Sequence, residues 1–193
     1  MRRILWGMVV ITCLVWANPV LAQGPTEYVR GILDRAMAIQ NNPSLSRSDR
    51  RHEIHRIIRD NFDFNTMART VVGSSYSQLS PEQLDEFNRV FSYLFQDSYT
   101  SMVLDFLKHE NIEYPGSSQS DGKAKVDTVI KRPNENIPVT YLLDNRPQWK
   151  MYDVIVDGVS ILHTYRDRFS EVIRTKGFNY LIQRMNEQRK AIE

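Results

Sequence analysis

The sequence predicts an α+β fold in which a helical part packs on an antiparallel sheet. Helical patterns fill residues 24–110, strand-like segments joined by short turns follow within residues 112–157, and two more helical patterns occupy residues 160–190. The chain has 193 residues, of which 41% are hydrophobic. That is enough to bury a core, so we expect one domain over residues 23–193.

Residues 1–22 have the features of a cleaved signal peptide. Arg2 and Arg3 form a basic start, residues 4–17 are apolar, and residues 20–22 form a small-residue cleavage motif. An uncleaved membrane anchor is the alternative, but 14 apolar residues are fewer than the roughly 20 that span a bilayer. A lipoprotein would use Cys13, yet the residue before it is not small. We therefore expect export by a cleaved leader.

Cleavage would also change the charge and the thiol content of the chain. The 25 basic residues include Arg2 and Arg3, and without these two they equal the 23 acidic residues. A net charge of zero gives no argument for binding to nucleic acid. The single cysteine, Cys13, would leave with the leader. The exported protein would then have no disulfide and no thiol chemistry, so its stability must come from packing.

The first two helices are predicted from apolar residues at helical spacing. The first covers residues 26–40 with Thr26 as its N-cap, and the second begins after Ser48 as its N-cap. The outer face of the second helix carries four arginines, Arg50, Arg51, Arg56 and Arg59. This basic face could meet phosphate headgroups, but a solvated helix face balanced by nearby acids is the simpler interpretation.

A short helix and a long helix follow. Asp63 is placed to cap the short helix, and Gly73 ends it. Ser80, Pro81 and Gln83 form the capping-box signature that opens the long helix, which should run to about residue 108. The apolar stripe of the long helix is wider than one core contact requires. Either the helix is sandwiched between other elements, or one flank lines a cavity.

Three strands are predicted at residues 123–131, 137–144 and 149–156, because their side chains alternate in polarity and short turn sequences separate them. Residues 112–114 are a candidate fourth strand, and we expect residues 116–122 to form a polar turn. Apolar residues on both faces of the second and third strands indicate that both faces of the sheet are partly covered.

Residues 149–169 join the sheet to the closing helices. The alternation of the strand stops at Asp157 and Gly158, and Ser160 is placed as the N-cap of an amphipathic helix. The loop is short, so this helix should pack against the sheet that it leaves. A final helix is predicted after Gly177.

Motifs that carry chemistry are few. His52 and His55 have a spacing that can chelate a metal, but no third ligand is indicated nearby, and we expect solvated histidines and no metal site. Asp153, within a strand, is either a catalytic base or a structural acceptor for the backbone or Arg166. The structural role is favoured, since no second catalytic group can be named. We therefore expect no catalytic residues and no cofactor.

Several motifs, taken in order, resemble one known family. They are F-D-F-N-T-M-A-R and V-V-G in residues 62–73, S-P-E-Q-L-D-E-F-N-R-V-F from Ser80 with Tyr99 after it, I-P-V-T-Y-L-L from Ile137, and W-K-M-Y-D-V-I-V-D-G-V-S-I-L-H-T-Y-R-D-R-F from Trp149. Together they resemble the MlaC, or toluene-tolerance, family of periplasmic phospholipid-binding proteins. The resemblance extends over residues 26–185.

The resemblance implies a fold and a function. It implies a helical subdomain on a curved antiparallel sheet, similar to the nuclear-transport-factor-2-like fold, with an apolar lipid cavity between them. It also implies a soluble periplasmic carrier that shuttles phospholipid between an outer-membrane lipoprotein and porin complex and an inner-membrane ABC transporter, and so contributes to outer-membrane lipid asymmetry. A hopanoid or another lipid is an alternative ligand, and an exported enzyme on the same sheet scaffold is a rival function.

The helical and strand patterns, combined with this resemblance, nominate residues for the walls of the cavity. They come from the short helix, the long helix and the sheet. They are Phe64, Met67, Val71, Phe91, Phe95, Tyr99, Met102, Tyr141, Tyr152 and Val154.

Overall fold

The computed structural model describes residues 23–192, so the predicted signal peptide lies outside the described residues. Four α-helices come first: α1 (Pro25–Gln40), α2 (Arg47–Asn61), α3 (Phe64–Val72) and α4 (Pro81–Phe106), with a 3₁₀ turn at Gly73–Gln78. The strands are β1 (Asn111–Ser120), β2 (Lys123–Lys131), β3 (Asn136–Asn145), β4 (Trp149–Val156) and β5 (Val159–Ser160). Helices α5 (Ile161–Lys176) and α6 (Phe178–Ile192) follow. The predicted α+β class is confirmed.

Two predicted helix starts are wrong by one or two residues. Helix α2 is capped by Ser46, not Ser48, because Ser46 accepts from the Asp49 amide at 3.1 Å while Asp49 accepts from the Ser46 amide. This reciprocal capping box satisfies two amides and fixes the start. Helix α1 begins at Pro25, before Thr26. Proline suits the first helical position because its backbone is already close to helical and the missing N–H has no partner there.

The predicted caps at Asp63, Ser80 and Ser160 are confirmed. Each side chain accepts a hydrogen bond from the amide three residues later, within the first turn of its helix. Ser80 and Gln83 form the predicted capping box, and α4 ends two residues before the expected point. The sequence predicts these caps because a capping side chain and the amide that it accepts from are close in sequence.

The sheet is an antiparallel meander with the strand order β1-β2-β3-β4-β5. The expectation of a polar turn over residues 116–122 is wrong, since β1 continues to Ser120, which pairs with Lys123. Only Asp121 and Gly122 form the turn, both with positive φ, at 52° and 74°. A two-residue turn of this hand matches the twist of the strands. The side chains of β1 are polar because most of them face solvent at the sheet edge.

A β-bulge interrupts the pairing of β3 with β4. Leu142 pairs with Asp153 and Leu143 pairs with Met151, so Tyr152 has no partner. The extra residue shifts the alternation of side chains by one position. Met151 therefore lies on the same face as Val154 and Val156, although strict alternation places it on the opposite face.

The core is organised around α4. Phe87 and Phe91 are fully buried, and their rings stack with centroids 5.6 Å apart. Phe169 from α5 meets both of these rings edge-on, and Phe178 from α6 lies 6.0 Å from Phe87. The N-terminal half of α4 is thus sandwiched by the closing helices, as one of the two sequence interpretations requires.

Asp153 joins the sheet to α5. Its carboxylate accepts from the Ser160 hydroxyl at 2.6 Å, from the Val154 amide at 2.8 Å and from the Leu162 amide at 3.2 Å. The residue is 8% exposed, and its charge lies at the positive end of the α5 dipole. Both oxygens hold backbone or capping groups, which is the structural role favoured by the sequence. The partner is the backbone rather than Arg166.

We expect Asp153→Asn to destabilise the fold by about 1–3 kcal/mol, because one acceptor oxygen and the charge at the start of α5 are lost. Urea unfolding measures the change. Asp167→Asn, at an exposed position of the same helix, is the control and should change stability by less than about 0.5 kcal/mol. Equal effects of the two substitutions would contradict the structural role of Asp153.

Candidate functional site

An apolar cavity of about 330 Å³ lies between helices α1, α2 and α4 and one face of the sheet. Its size is within the range of small-molecule pockets. Most of its lining residues are aliphatic or aromatic. They are Ile32, Leu33, Ala36, Ile54, Ile57, Ile58, Phe62, Tyr99, Met102, Val103, Phe106, Leu107, Ile130, Arg132, Glu135, Ile137, Val139, Tyr141, Met151 and Val156.

The helical wall follows from the spacing of apolar residues. Ile32 and Ala36 lie one turn apart on α1, and Ile54 and Ile58 lie one turn apart on α2. The wall on α4 is its C-terminal half, from Tyr99 to Phe106. This half is the flank of the wide apolar stripe that the closing helices do not cover. The N-terminal half of α4 is therefore sandwiched between other elements, and its C-terminal half lines a cavity. Each of the two sequence interpretations holds for one half of the helix.

The sheet wall depends on register. Val139 pairs with Val156, and Tyr141 pairs with Val154, so these four side chains share one face of the sheet. The bulge at Tyr152 adds Met151 to this face. Val139, Tyr141, Met151 and Val156 reach the cavity. Without the bulge, the side chain of Met151 would face away from the helices.

A second cavity, of about 320 Å³, adjoins the first. Met102 and Val156 line both cavities and form the partition between them. The second cavity also contacts Ile161, Tyr165 and Val159, and Val159 is 61% exposed. Thr164 and Arg168 complete its lining. The space beyond Met102 is thus mostly apolar, with one cation, and reaches the protein surface near β5.

Three of the ten residues nominated from the sequence line the main cavity, namely Tyr99, Met102 and Tyr141. The other seven are not part of this lining. They are Phe64, Met67, Val71, Phe91, Phe95, Tyr152 and Val154. Met67 and Val71 are fully buried between elements, and the ring of Phe95 lies 6.0 Å from that of Phe64 and 6.1 Å from that of Phe91. Their role in ligand binding stays a prediction.

The sequence analysis missed the contribution of α1 and α2. The apolar faces of these helices were recognised, but helical spacing shows only that a face is buried, not whether it meets a side chain or a cavity. Ile32, Ala36, Ile54 and Ile58 are between 1% and 6% exposed, as ordinary core residues are. No signal in the sequence distinguishes them from the core.

Two tyrosines of the cavity wall titrate abnormally. Burial raises the pKa of Tyr141 well above its usual value, and the neighbouring phenols of Tyr99 and Tyr114 add to the shift. Burial also raises the pKa of Tyr99, with the Asp153 carboxylate as a second cause. An apolar surrounding disfavours the phenolate. Both side chains are therefore neutral donors over the physiological range.

The histidines form no metal site among the described residues. His55 Nε2 lies 3.5 Å from Asp97 Oδ1, and burial lowers the pKa of His55 while the Asp97 carboxylate partly offsets this. Within residues 23–192, no group of three or more His, Cys, Asp or Glu side chains is placed to hold a metal ion.

No helix within residues 23–192 has the length and apolar character needed to cross a membrane.

Comparison with known proteins identifies the family. The model of the MlaC protein family matches residues 30–187, which is most of the chain. The chain belongs to the MlaC family. The resemblance inferred from the motifs is thereby confirmed. In this MlaC-family chain the matched region begins within α1 and ends within α6.

Two curated relatives are similar over most of their length. The toluene tolerance protein Ttg2D of Pseudomonas putida is 25% identical over 179 residues, covering 89% of this chain and 83% of that protein. The intermembrane phospholipid transport system binding protein MlaC of Haemophilus influenzae is 23% identical over 159 residues, covering 77% and 74%.

A solved structure shares the fold of this MlaC-family chain. The phospholipid-binding protein from Ralstonia solanacearum, solved in complex with a phospholipid, matches with a TM-score of 0.74 at 22% identity. The match covers 86% of this chain and 97% of that one. At this identity the likeness establishes the arrangement of helices and sheet, and the expected MlaC fold is confirmed.

The raised phenol pKa values predict a loss of stability in alkali. Above the usual tyrosine pKa of 10.0, the unfolded chain releases the Tyr141 proton while the folded chain retains it. Stability is therefore complete below that pH and falls as the pH rises towards the folded pKa. By about pH 11 the loss from Tyr141 alone should be on the order of 1 kcal/mol.

Urea midpoints measured at about pH 8 and about pH 11 test this expectation, with wild type compared against Tyr141→Phe. The variant lacks the titrating group and should lose less stability between the two conditions. Tyr180→Phe, at a position that is 41% exposed, is the control and should behave as wild type. An identical alkaline loss in Tyr141→Phe and wild type would show that Tyr141 does not titrate as argued.

Proposed function

We propose that this chain is a periplasmic phospholipid carrier, exported by cleavage of the predicted signal peptide. The observation that carries the proposal is the apolar cavity between α1, α2, α4 and the sheet. Its charged lining residues, Arg132 and Glu135, lie together at one end. A cavity with an apolar interior and a polar end matches an acyl chain attached to a polar headgroup.

The energetics of acyl chains explain why such a cavity is useful. Burying one methylene is worth about 0.8 kcal/mol, so two chains of about sixteen carbons represent on the order of 20 kcal/mol. A phospholipid therefore does not leave a membrane for water at a useful rate. A protein that encloses the chains removes this barrier, and the headgroup can stay in contact with solvent.

The two adjoining cavities support a ligand with two chains. Each has a volume of a few hundred cubic ångströms, at about 330 and 320 Å³, and Met102 and Val156 separate them. A side-chain movement at Met102 would join them, and methionine is well suited to this because its unbranched chain has several accessible rotamers. We propose that one acyl chain enters the main cavity and the other extends past Met102.

We further propose that the carrier exchanges lipid with an inner-membrane ABC transporter and with an outer-membrane lipoprotein and porin complex, and so contributes to outer-membrane lipid asymmetry. Membership of the MlaC family supports this proposal, as does the name of the Haemophilus influenzae relative. Release into water is as unfavourable as entry from it. Handover therefore requires docking, so that the cavity becomes continuous with an apolar path in the partner.

Binding without catalysis is the role that the site supports. The acid that an enzymatic function would use, Asp153, holds the Ser160 hydroxyl and the amides of Val154 and Leu162. A general base needs an oxygen free to receive the substrate proton, and the occupied oxygens of Asp153 do not provide it.

Protein purified from the periplasm without detergent should carry phospholipid in about one-to-one proportion. Solvent extraction followed by mass spectrometry identifies the lipid. A hopanoid or another lipid in its place would assign the cavity to that ligand instead. Protein that is free of lipid and also takes up none from phospholipid vesicles would contradict the carrier function.

Filling the partition between the cavities should exclude lipid. We expect Met102→Trp to reduce the lipid recovered per protein by about tenfold, since an indole would occupy the space that both chains need. Folding should survive at a cost of about 1–3 kcal/mol. Tyr93→Trp is the matched control, because Tyr93 is on the same helix, is 45% exposed and does not line either cavity. Equal lipid content in both variants would argue against this location for the chains.

A further inference from the structure

Arg132 lies at the rim of the main cavity, between the sheet and the end of α4. It directly follows β2, and its amide donates to the Glu135 carbonyl at 2.9 Å across the turn to β3. The guanidinium Nη2 donates to the carbonyl of Phe106, the last residue of α4, at 2.6 Å. Phe106 is 57% exposed, so this rim faces solvent. Arg132 and Glu135 are the charged residues of the cavity lining within the described chain.

Two carboxylates neighbour this guanidinium, and they differ in exposure. Glu110 Oε1 is 3.6 Å from Nη2 of Arg132, and Glu135 Oε1 is 3.8 Å from Nη1. Both distances exceed the roughly 2.7–2.9 Å of a charge-assisted hydrogen bond. The Glu110 side chain is 14% exposed, whereas that of Glu135 is 58% exposed. The other carboxylate oxygen of Glu110 accepts from the Lys108 amide, which holds Glu110 beside the arginine, whereas Glu135 is free to move into solvent.

The hydrogen bonds of Arg132 leave most of its capacity unused. A guanidinium has five N–H donors, and within residues 23–192 the Arg132 side chain makes one hydrogen bond, to Phe106. Its side chain is 25% exposed, so solvent or a ligand can reach the remaining donors. The planar arrangement of these donors matches two oxygens of a phosphate.

We propose that Arg132 binds the phosphate of the lipid headgroup at the mouth of the cavity, and that the phosphate displaces Glu135. The inference rests on the proposed carrier function. In a phospholipid the phosphate directly follows the glycerol that holds the acyl chains. When an acyl chain lies in the main cavity, the phosphate is at its mouth, where Arg132 is the cation of that cavity's lining.

The exchange is favourable because the two interactions differ in strength. An exposed ion pair such as Arg132 with Glu135 contributes little to stability. A bidentate arginine–phosphate contact is stronger. The hydrogen bond from Nη2 to the Phe106 carbonyl keeps the guanidinium in place during the exchange. Arg132 would thus select for a phosphate without selecting the alcohol attached to it, so several phospholipid classes would bind alike.

The test compares two lipids that share acyl chains and differ in the phosphate. Lipid-free protein is incubated with phosphatidylcholine vesicles that contain diacylglycerol of the same chains, and bound lipid is quantified by mass spectrometry after separation from the vesicles. The ratio of bound phospholipid to bound diacylglycerol should be about tenfold higher for wild type than for Arg132→Gln. Total bound lipid should be similar in the two proteins.

Three further variants make the test specific. Arg132→Lys keeps the charge but not the paired donors, and should give an intermediate ratio. Glu135→Gln removes the competing carboxylate and should raise the ratio above that of wild type. Lys131→Gln removes a neighbouring cation that pairs with Glu113 and does not line the cavity, so it should leave the ratio unchanged. Thermal melting confirms that each variant is folded.

The outcomes separate this inference from the carrier function. Uptake of neither lipid by wild type would overturn both. Uptake of both lipids with equal ratios in wild type and Arg132→Gln would leave the carrier function intact and overturn the phosphate contact. Inorganic phosphate alone is the last arm. If it stabilised lipid-free wild type but not Arg132→Gln against heat, and the two proteins also gave equal lipid ratios, the site would be a free-anion site and the role in lipid headgroup binding would be overturned.

Discussion

The aromatic row on α4 is the interaction on which the rest of the structure depends. Phe87, Phe91 and Phe95 pack against rings from α5 and α6, which anchors the N-terminal half of the longest helix. The C-terminal half then projects over the sheet with its apolar flank uncovered. A space remains between this flank, α1, α2 and the sheet.

The two ends of this cavity differ in polarity, because its charged residues lie at one end. Its interior presents aliphatic and aromatic side chains, and its charged residues, Arg132 and Glu135, are confined to the rim. A polar or charged ligand would find no hydrogen-bond partner in the apolar interior. Burying it there would cost free energy, so the interior disfavours polar ligands. The sheet edge is held by Asp153, whose hydrogen bonds to the start of α5 fix the wall without entering the cavity.

Local signals in the sequence were sufficient for most elements. The caps at Asp63, Ser80 and Ser160, the Asp157–Gly158 break and the alternation of β2 and β3 depend on neighbours within a few positions, and the structure agrees with them. The errors were also local in origin. Ser46 and Ser48 are both suitable caps, and the reciprocal hydrogen bonds between Ser46 and Asp49 select Ser46. The polar stretch of β1 has no apolar face, because this part of the strand lies exposed at the sheet edge. Only its pairing with β2 defines it as a strand.

By itself, the sequence determined the α+β class, the family and the apolar faces of the helices, because each follows from spacing or from ordered motifs. Only the tertiary structure decided which faces enclose the cavity. Met151 joins the wall because one unpaired residue, Tyr152, shifts the alternation of β4. Ile32 and Ile54 join it because α1 and α2 cross over the sheet. A buried face has the same pattern whether it meets a neighbour or an open space, and only the packing of distant elements distinguishes the two.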